Sequence, residues 1–177
     1  MTSWQPGAAI HGDDPFATPA DDRSPARRMR GRLPLPVTLW TAGDGRGRAG
    51  LTVSSTMIAD GAPGRVAGLV DPESELWAAV EAGGVFALTP LAERDQQLAD
   101  RFAGLMPAPG GLFAGDRWEQ TAYGPIGEGR TTWVGCRLDE ARPFGWNLLV
   151  CATIERTAFG DGAAPLLHYR GRYRRLA

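Results

Sequence analysis

The chain contains no lysine; all nineteen of its basic side chains are arginine. Schiff-base chemistry on a lysine is thereby excluded, and any bound phosphate would meet planar guanidinium forks. Cysteine and histidine are nearly as scarce. Cys136 and Cys151 stand apart in the sequence, as do His11 and His168. Neither pair has zinc-site spacing, so no metal site is expected, and both cysteines, lying in extended apolar segments, are expected as buried thiols. No apolar run approaches the roughly twenty residues of a membrane helix. The N-terminus also lacks a basic-then-apolar signal pattern, so a cytoplasmic protein is expected. Nor is there a dominant charge: nineteen arginines against twenty acids leave a net charge of −1. That balance gives no global attraction for nucleic acid or an anionic membrane.

What is present suits a single folded unit. The length of 177 residues with 43% hydrophobic side chains is enough for one domain with its own core. Residues 1–31 read as an irregular arm and 32–177 as the domain. The arm holds Pro6, Pro15, Pro19 and Pro25, then acids at Asp13, Asp14, Asp21 and Asp22, then Arg23, Arg27, Arg28 and Arg30, with Arg32 at the boundary. It is short, lacks interleaved aromatics and sets its acids against its arginines. It therefore reads as a docking arm rather than a nucleic-acid element.

The domain reads as many strands with a few short helices. Residues 35–42 (LPVTLWTA) predict a first strand, with Val37, Leu39 and Thr41 on one face and Thr38 and Trp40 on the other. A glycine-rich turn at 43–48 leads to a second strand over 49–55, and a third follows over 65–70. Asp71-Pro72-Glu73-Ser74 is expected to open a helix with Pro72 in its first turn, stopped by Gly83 and Gly84. After a strand at 85–88, Thr89-Pro90 predicts the cap and first turn of a second helix, with Leu91, Leu98, Phe102 and Leu105 on one face. A loop is expected to about residue 129, then strands at 131–138, 147–154 and 166–173. Irregular alternation of this kind favours a closed antiparallel barrel over a doubly wound sheet.

The second strand is the unusual one. Thr52-Val53-Ser54-Ser55 places three hydroxyls in an apolar segment, suited to close approach by a ligand. No GxSxG elbow surrounds these serines, and the run 43–47 precedes a strand rather than a helix, which argues against a nucleophilic triad and a dinucleotide-binding crossover fold. A site that needs no catalytic side chain of its own fits best, as when a cofactor carries the chemistry.

The TVSS run resembles the signature of the flavin reductase-like, FMN-binding split-barrel family. The likeness continues through Val66-Ala67-Gly68-Leu69-Val70, Gly83-Gly84-Val85-Phe86-Ala87-Leu88-Thr89-Pro90-Leu91, Leu98-Ala99-Asp100-Arg101-Phe102-Ala103 and Pro165-Leu166-Leu167-His168-Tyr169-Arg170-Gly171-Arg172-Tyr173. It implies a mainly β, Greek-key antiparallel split barrel. The implied function is a flavoprotein oxidoreductase that uses NAD(P)H to reduce FMN or FAD, supplying a partner monooxygenase. Thr52, Val53, Ser54 and Ser55 match the segment lying along the flavin, and Arg101 and Phe102 the helix packed beside it. Arg46 and Arg48, on the adjacent turn, are expected from position alone to reach the phosphate. The resemblance also implies a homodimer. The apolar residues Leu112, Phe113, Trp118 and Tyr123 in the 105–129 loop point the same way, since they are too many to leave in water.

Two stretches depart from the family pattern. Where family members carry Gly-Asp-His, with the histidine near the nicotinamide, this chain has Phe144-Gly145-Trp146. Trp146 on the nicotinamide side offers stacking but no proton. Ile58 and Asp60 stand where serines usually follow the TxSS run, and an acid near a phosphate is unfavourable. These departures keep open a split barrel that binds flavin or another ligand without reducing it.

Overall fold

The structure is a computed structural model and describes residues 24–176. Twelve strands and three α-helices follow in chain order: α1 (Pro25–Arg30), β1 (Leu35–Pro36), β2 (Thr38–Ala42), β3 (Ala49–Val53), β4 (Met57–Ala59), β5 (Arg65–Val70), α2 (Glu75–Gly83), β6 (Val85–Pro90), α3 (Gln96–Phe102), β7 (Trp118–Thr121), β8 (Gly124–Gly127), β9 (Trp133–Phe144), β10 (Asn147–Ala158), β11 (Leu167–Tyr169) and β12 (Arg172–Arg174). Seven strands form one antiparallel sheet in the order β3-β2-β6-β9-β10-β5-β4. The sheet curls until β3 and β5 touch. A three-stranded sheet β1-β11-β12 and the hairpin β7-β8 pack outside it.

Strand β2 explains the layering. Thr38–Ala42 is buried at every position because the strand separates two cores. Trp40 and Ala42 point into the barrel with Val53, Val66, Val70, Phe86, Cys136 and Val150. Val37 and Leu39 point outward into a second cluster with Leu91, Ala99, Phe102 and Leu166. Helix α2 closes the barrel, burying Leu76 and Val80. Its start is fixed by the Ser74 hydroxyl, which accepts from the Trp77 amide at 3.2 Å, and its end by Gly84 at φ 69°.

Several sequence expectations are corrected. The segment expected as irregular contains α1, capped by Ser24; residues 1–23 lie outside the described part. Pro72 precedes α2 rather than sitting in its first turn, because Ser74 supplies the cap. Thr89 and Pro90 remain in β6, paired with Leu39 and Thr38, so the ladder outweighs the local cap signal. The start of α3 is organised instead by Asp95, whose carboxylate accepts from the Ala92 amide at 2.8 Å.

The 105–129 loop contains the hairpin β7-β8, and its apolar residues serve this chain's own core. Phe113 and Trp118 pack edge-on against Phe102, and Tyr123 covers Gly135 so closely that a Cβ there would lie 2.3 Å from its ring. They are therefore not surface left over for a partner. The last segment is a hairpin rather than one strand, because Arg170 (φ 53°) and Gly171 (φ 74°) reverse the chain. Strand β4 had no sequence signal; it is a short edge with all three residues exposed.

Both cysteines are free thiols. Cys136 is buried, and burial, with the Glu155 charge adding to it, pushes its thiol up to about 12; Cys151 is half-buried. Among the described residues no His/Cys/Asp/Glu group could hold a metal, and no helix is long and apolar enough to cross a membrane.

Candidate functional site

The hydroxyl-rich run divides its roles residue by residue. Thr52 donates to the Ala99 carbonyl of α3 at 2.7 Å, tying the strand to the helix. Val53 is core, 2% exposed. The Ser55 hydroxyl donates to the Leu69 carbonyl (3.2 Å) and accepts from the Leu69 amide (2.7 Å), so it closes the barrel seam between β3 and β5 as a strand neighbour would. Ser54 alone keeps a half-buried hydroxyl without a hydrogen-bond partner among the described residues. Outside the strand ladders, no backbone hydrogen bond among those residues engages the main chain of 54–56.

A buried polar knot holds this bend in shape. The Thr38 hydroxyl donates to the Val53 carbonyl at 2.7 Å and lies 2.7 Å from the Thr56 hydroxyl. The Trp40 indole N–H is shared between the two threonine oxygens, at 3.1 and 3.2 Å. Every proton has an acceptor if Thr56 donates to Thr38. Trp40 itself stacks on Phe86, ring centroids 4.5 Å apart. The core thus fixes the backbone of a bend whose polar groups remain available.

Helix α3 lies antiparallel to β3, with Phe102 against Gly50 and Ala99 against Thr52. The bend at Ser54 comes next, toward the start of the helix. Arg48 lies at the opposite end, its guanidinium 5.2 Å over the Phe113 ring and its Nε donating to the Gly45 carbonyl. Arg46 and Arg48 line an open cleft of about 350 Å³ with Glu75, Leu112 and Phe113. Ser54 follows Arg48 by six positions, on the order of 20 Å along an extended strand. Phe102 is 2% exposed and belongs to the second core. Arg101 donates to the Ala114 carbonyl and pairs with Asp116, which fixes the loop beside the cleft.

Trp146 sits at the tip of the β9-β10 hairpin and is 93% exposed. The register places it on the same end of the sheet as the bend: Ser55 binds Leu69, Leu69 pairs with Leu149, and Trp146 lies three residues beyond. The fold therefore brings Ser54, Ser55 and Trp146 to one end and sets Arg46 and Arg48 apart. Ile58 is exposed on β4, and the Asp60 carboxylate accepts from the Gly61 amide in its own turn. Sequence reasoning missed Thr38 and Thr56. Thr38, a polar residue in an apolar strand two positions from Trp40, carried a faint signal; Thr56 carried none beyond its place next to the serine pair.

The model of the flavin reductase like domain matches residues 29–177. The chain belongs to that family. Its relatives include an NADPH-flavin oxidoreductase of Streptomyces viridifaciens, 31% identical over 94% of this chain and 87% of that protein. An FMN reductase (NADH) RutF of Ancylobacter novellus is 29% identical over 90% of this chain and 88% of its own. Among solved structures, nitrilotriacetate monooxygenase component B from Mycobacterium thermoresistibile superposes with a TM-score of 0.77 at 27% identity, covering 86% of this chain and 85% of that one. The mainly β split-barrel architecture expected of this flavin reductase-like chain is the one observed.

Proposed function

We propose that this flavin reductase-like protein is an NAD(P)H-dependent oxidoreductase that takes FMN or FAD at the 52–56 bend and supplies reduced flavin to a monooxygenase. One observation carries the reading. The bend presents the Ser54 hydroxyl and the unengaged main chain of 54–56, on a backbone pinned from below by Thr38, Trp40 and Thr56. Such a strip of fixed donors and acceptors fits the polar edge of a flavin ring, and the flavin, when bound, supplies the redox chemistry. Ser54 and the 54–56 amides bind the ring edge; Thr52 and Ser55 hold the strand in place for them. Phe102 and Arg101 act from behind, by packing α3 and fixing its following loop. Trp146 offers a flat indole on the nicotinamide side, which stacks and excludes water but moves no proton.

Arg46 and Arg48 lie on the order of 20 Å along the strand from Ser54, so they would face the tail rather than the ring of a flavin whose ring lies at the bend. A dinucleotide such as FAD could span the two places. The second subunit of a homodimer would cover the exposed Met57 and Ile58 on β4 together with Phe144 and Trp146 at the hairpin tip. Light scattering at micromolar concentration checks this, with a dimer mass expected and a monomer mass contrary to it.

The test of function is loss of NADH or NADPH absorbance on adding FMN or FAD to purified protein. A protein that turns yellow with flavin and leaves both nucleotides unoxidised would instead match the binding-only reading that the Trp146 position favours. Ser54→Ala is expected to weaken flavin binding roughly three- to tenfold, the worth of one hydrogen bond. Thr56→Val, which unties the knot without touching the ligand, is expected to cost about tenfold in flavin affinity, with Thr56→Ser restoring it. Titration of flavin fluorescence reads both, and unchanged affinity in the two variants would remove the bend from the site.

A further inference from the structure

Two arginine-rich segments from opposite ends of the chain become one surface. Residues 24–36 and 162–176 carry eight arginines and no acid, whereas 37–161 carry ten arginines against sixteen acids. The small sheet brings the two together: Leu35 pairs with His168 and Pro36 with Leu167, while β11 pairs with β12. At the turn, the Arg170 amide donates to the Gly31 carbonyl at 2.8 Å. Six of these side chains, Arg28, Arg30, Arg32, Arg170, Arg172 and Arg174, belong to exposed residues and make no ion pair among the described residues. Arg175 reaches Glu93 at 3.5 Å. Among the described residues the charge is thus strongly polarised, with the basic end built on α1 and the β1-β11-β12 sheet.

The same surface is not purely basic. Met29 (58% exposed), Leu33 (48%) and Leu176 (63%) stand among the arginines. Arginine and methionine beside exposed aliphatic groups are the composition of a protein–protein interface. A nucleic-acid groove calls for charge with little apolar area. An interfacial membrane helix calls for a broad apolar face, and the six residues of α1 offer only Met29 as a large apolar side chain among arginines.

We infer that this face docks an acidic, partly apolar surface of a protein partner, which on the reductase reading is the monooxygenase component that receives the flavin. Charge complementarity of this kind steers encounter and favours a short-lived, salt-sensitive complex, as delivery of a diffusible product requires.

The test uses the full chain and a fluorescent poly(Glu,Tyr) copolymer as the acidic, aromatic-bearing probe. Duplex DNA and phosphatidylserine vesicles are run at the same salt. Copolymer binding is expected to weaken about tenfold or more from low to physiological salt. It is also expected to fall about tenfold or more in both Arg30→Glu/Arg32→Glu and Arg172→Glu/Arg174→Glu, although these pairs lie at opposite ends of the sequence. Reduction of free FMN by NADH and thermal melting should stay unchanged in both. Failure of the unsubstituted protein to bind, binding unchanged in either double variant, or tighter retention of the duplex or vesicles than of the copolymer would overturn the assignment. Salt- and variant-sensitive binding by a protein that cannot reduce flavin would fault the reductase reading and still support the face.

Discussion

Asp95→Ala is expected to lower the unfolding free energy by about 3–5 kcal/mol, the cost of leaving one member of a buried ion pair alone. Arg130 grips the Asp95 carboxylate with both terminal nitrogens, each at 2.6 Å, and the Ala92 amide adds a third donor at 2.8 Å. The pair is well shielded: the side chain of Asp95 is 7% exposed and that of Arg130 20%. It joins the start of α3 to the turn between β8 and β9, which ties the outer layer to the barrel. Removing the carboxylate strands the guanidinium and the Ala92 amide together. The double variant Asp95→Ala/Arg130→Met should recover part of the loss, because no uncompensated charge remains. Urea unfolding of the single and double variants checks both statements, and equal losses in the two would contradict them.

The same pair predicts a pH dependence with a definite sign. Burial pushes the Asp95 carboxyl up, but the hydrogen bonds from Arg130 and Ala92 and the charges of Arg130 and Arg94 outweigh it and hold it below the usual carboxylate range. A folded value below the unfolded one means that the stabilisation is present above the unfolded value, about 4, and is lost as pH falls through the folded value. Asp95→Ala should therefore flatten that part of the acid limb as well as lowering stability near neutrality.

Gly68→Ala is the second large effect expected, about 2–3 kcal/mol of stability with loss of flavin affinity alongside it. A Cβ at this position would lie 2.8 Å from two atoms of the Trp40 ring. The ring has little room to yield, since it stacks on Phe86 and its N–H is held by Thr38 and Thr56. Any shift that relieves the clash must loosen the knot beneath the 54–56 bend. Stability and binding should thus fall together, read by urea unfolding, near-ultraviolet circular dichroism of the tryptophan and flavin titration. An alanine variant that melts as the parent does and binds flavin equally would show that the core does not control the bend.

Much of the barrel was legible because its strands alternate. Cys136 was expected as a buried thiol and is buried, and 65–70 was read as a strand over the bounds that β5 occupies. The misreadings share a cause. Thr89-Pro90 has the local chemistry of a helix start, yet β2 offers those residues a ladder and a buried face. Arg170-Gly171 looked like the middle of a strand because a non-glycine residue with positive φ leaves no compositional mark. Phe113 and Trp118 looked like surface for a partner because nothing local records that Phe102 waits across the fold.

By itself the sequence determined the class of the protein. Alternating apolar segments joined by short helices imply one mainly β, barrel-like domain, and the flavin-binding split barrel is what the resemblance of its ordered motifs to the flavin reductase-like family implies. Tertiary structure decided which of the hydroxyls are available. Thr52, Ser55, Thr38 and Thr56 are chemically alike, and only distant partners, Ala99, Leu69, Val53 and Trp40, distinguish the engaged ones from Ser54. Tertiary structure also separated Arg48 from the bend and joined Arg32 to Arg170, because strand direction and sheet pairing, not sequence distance, set where charges meet.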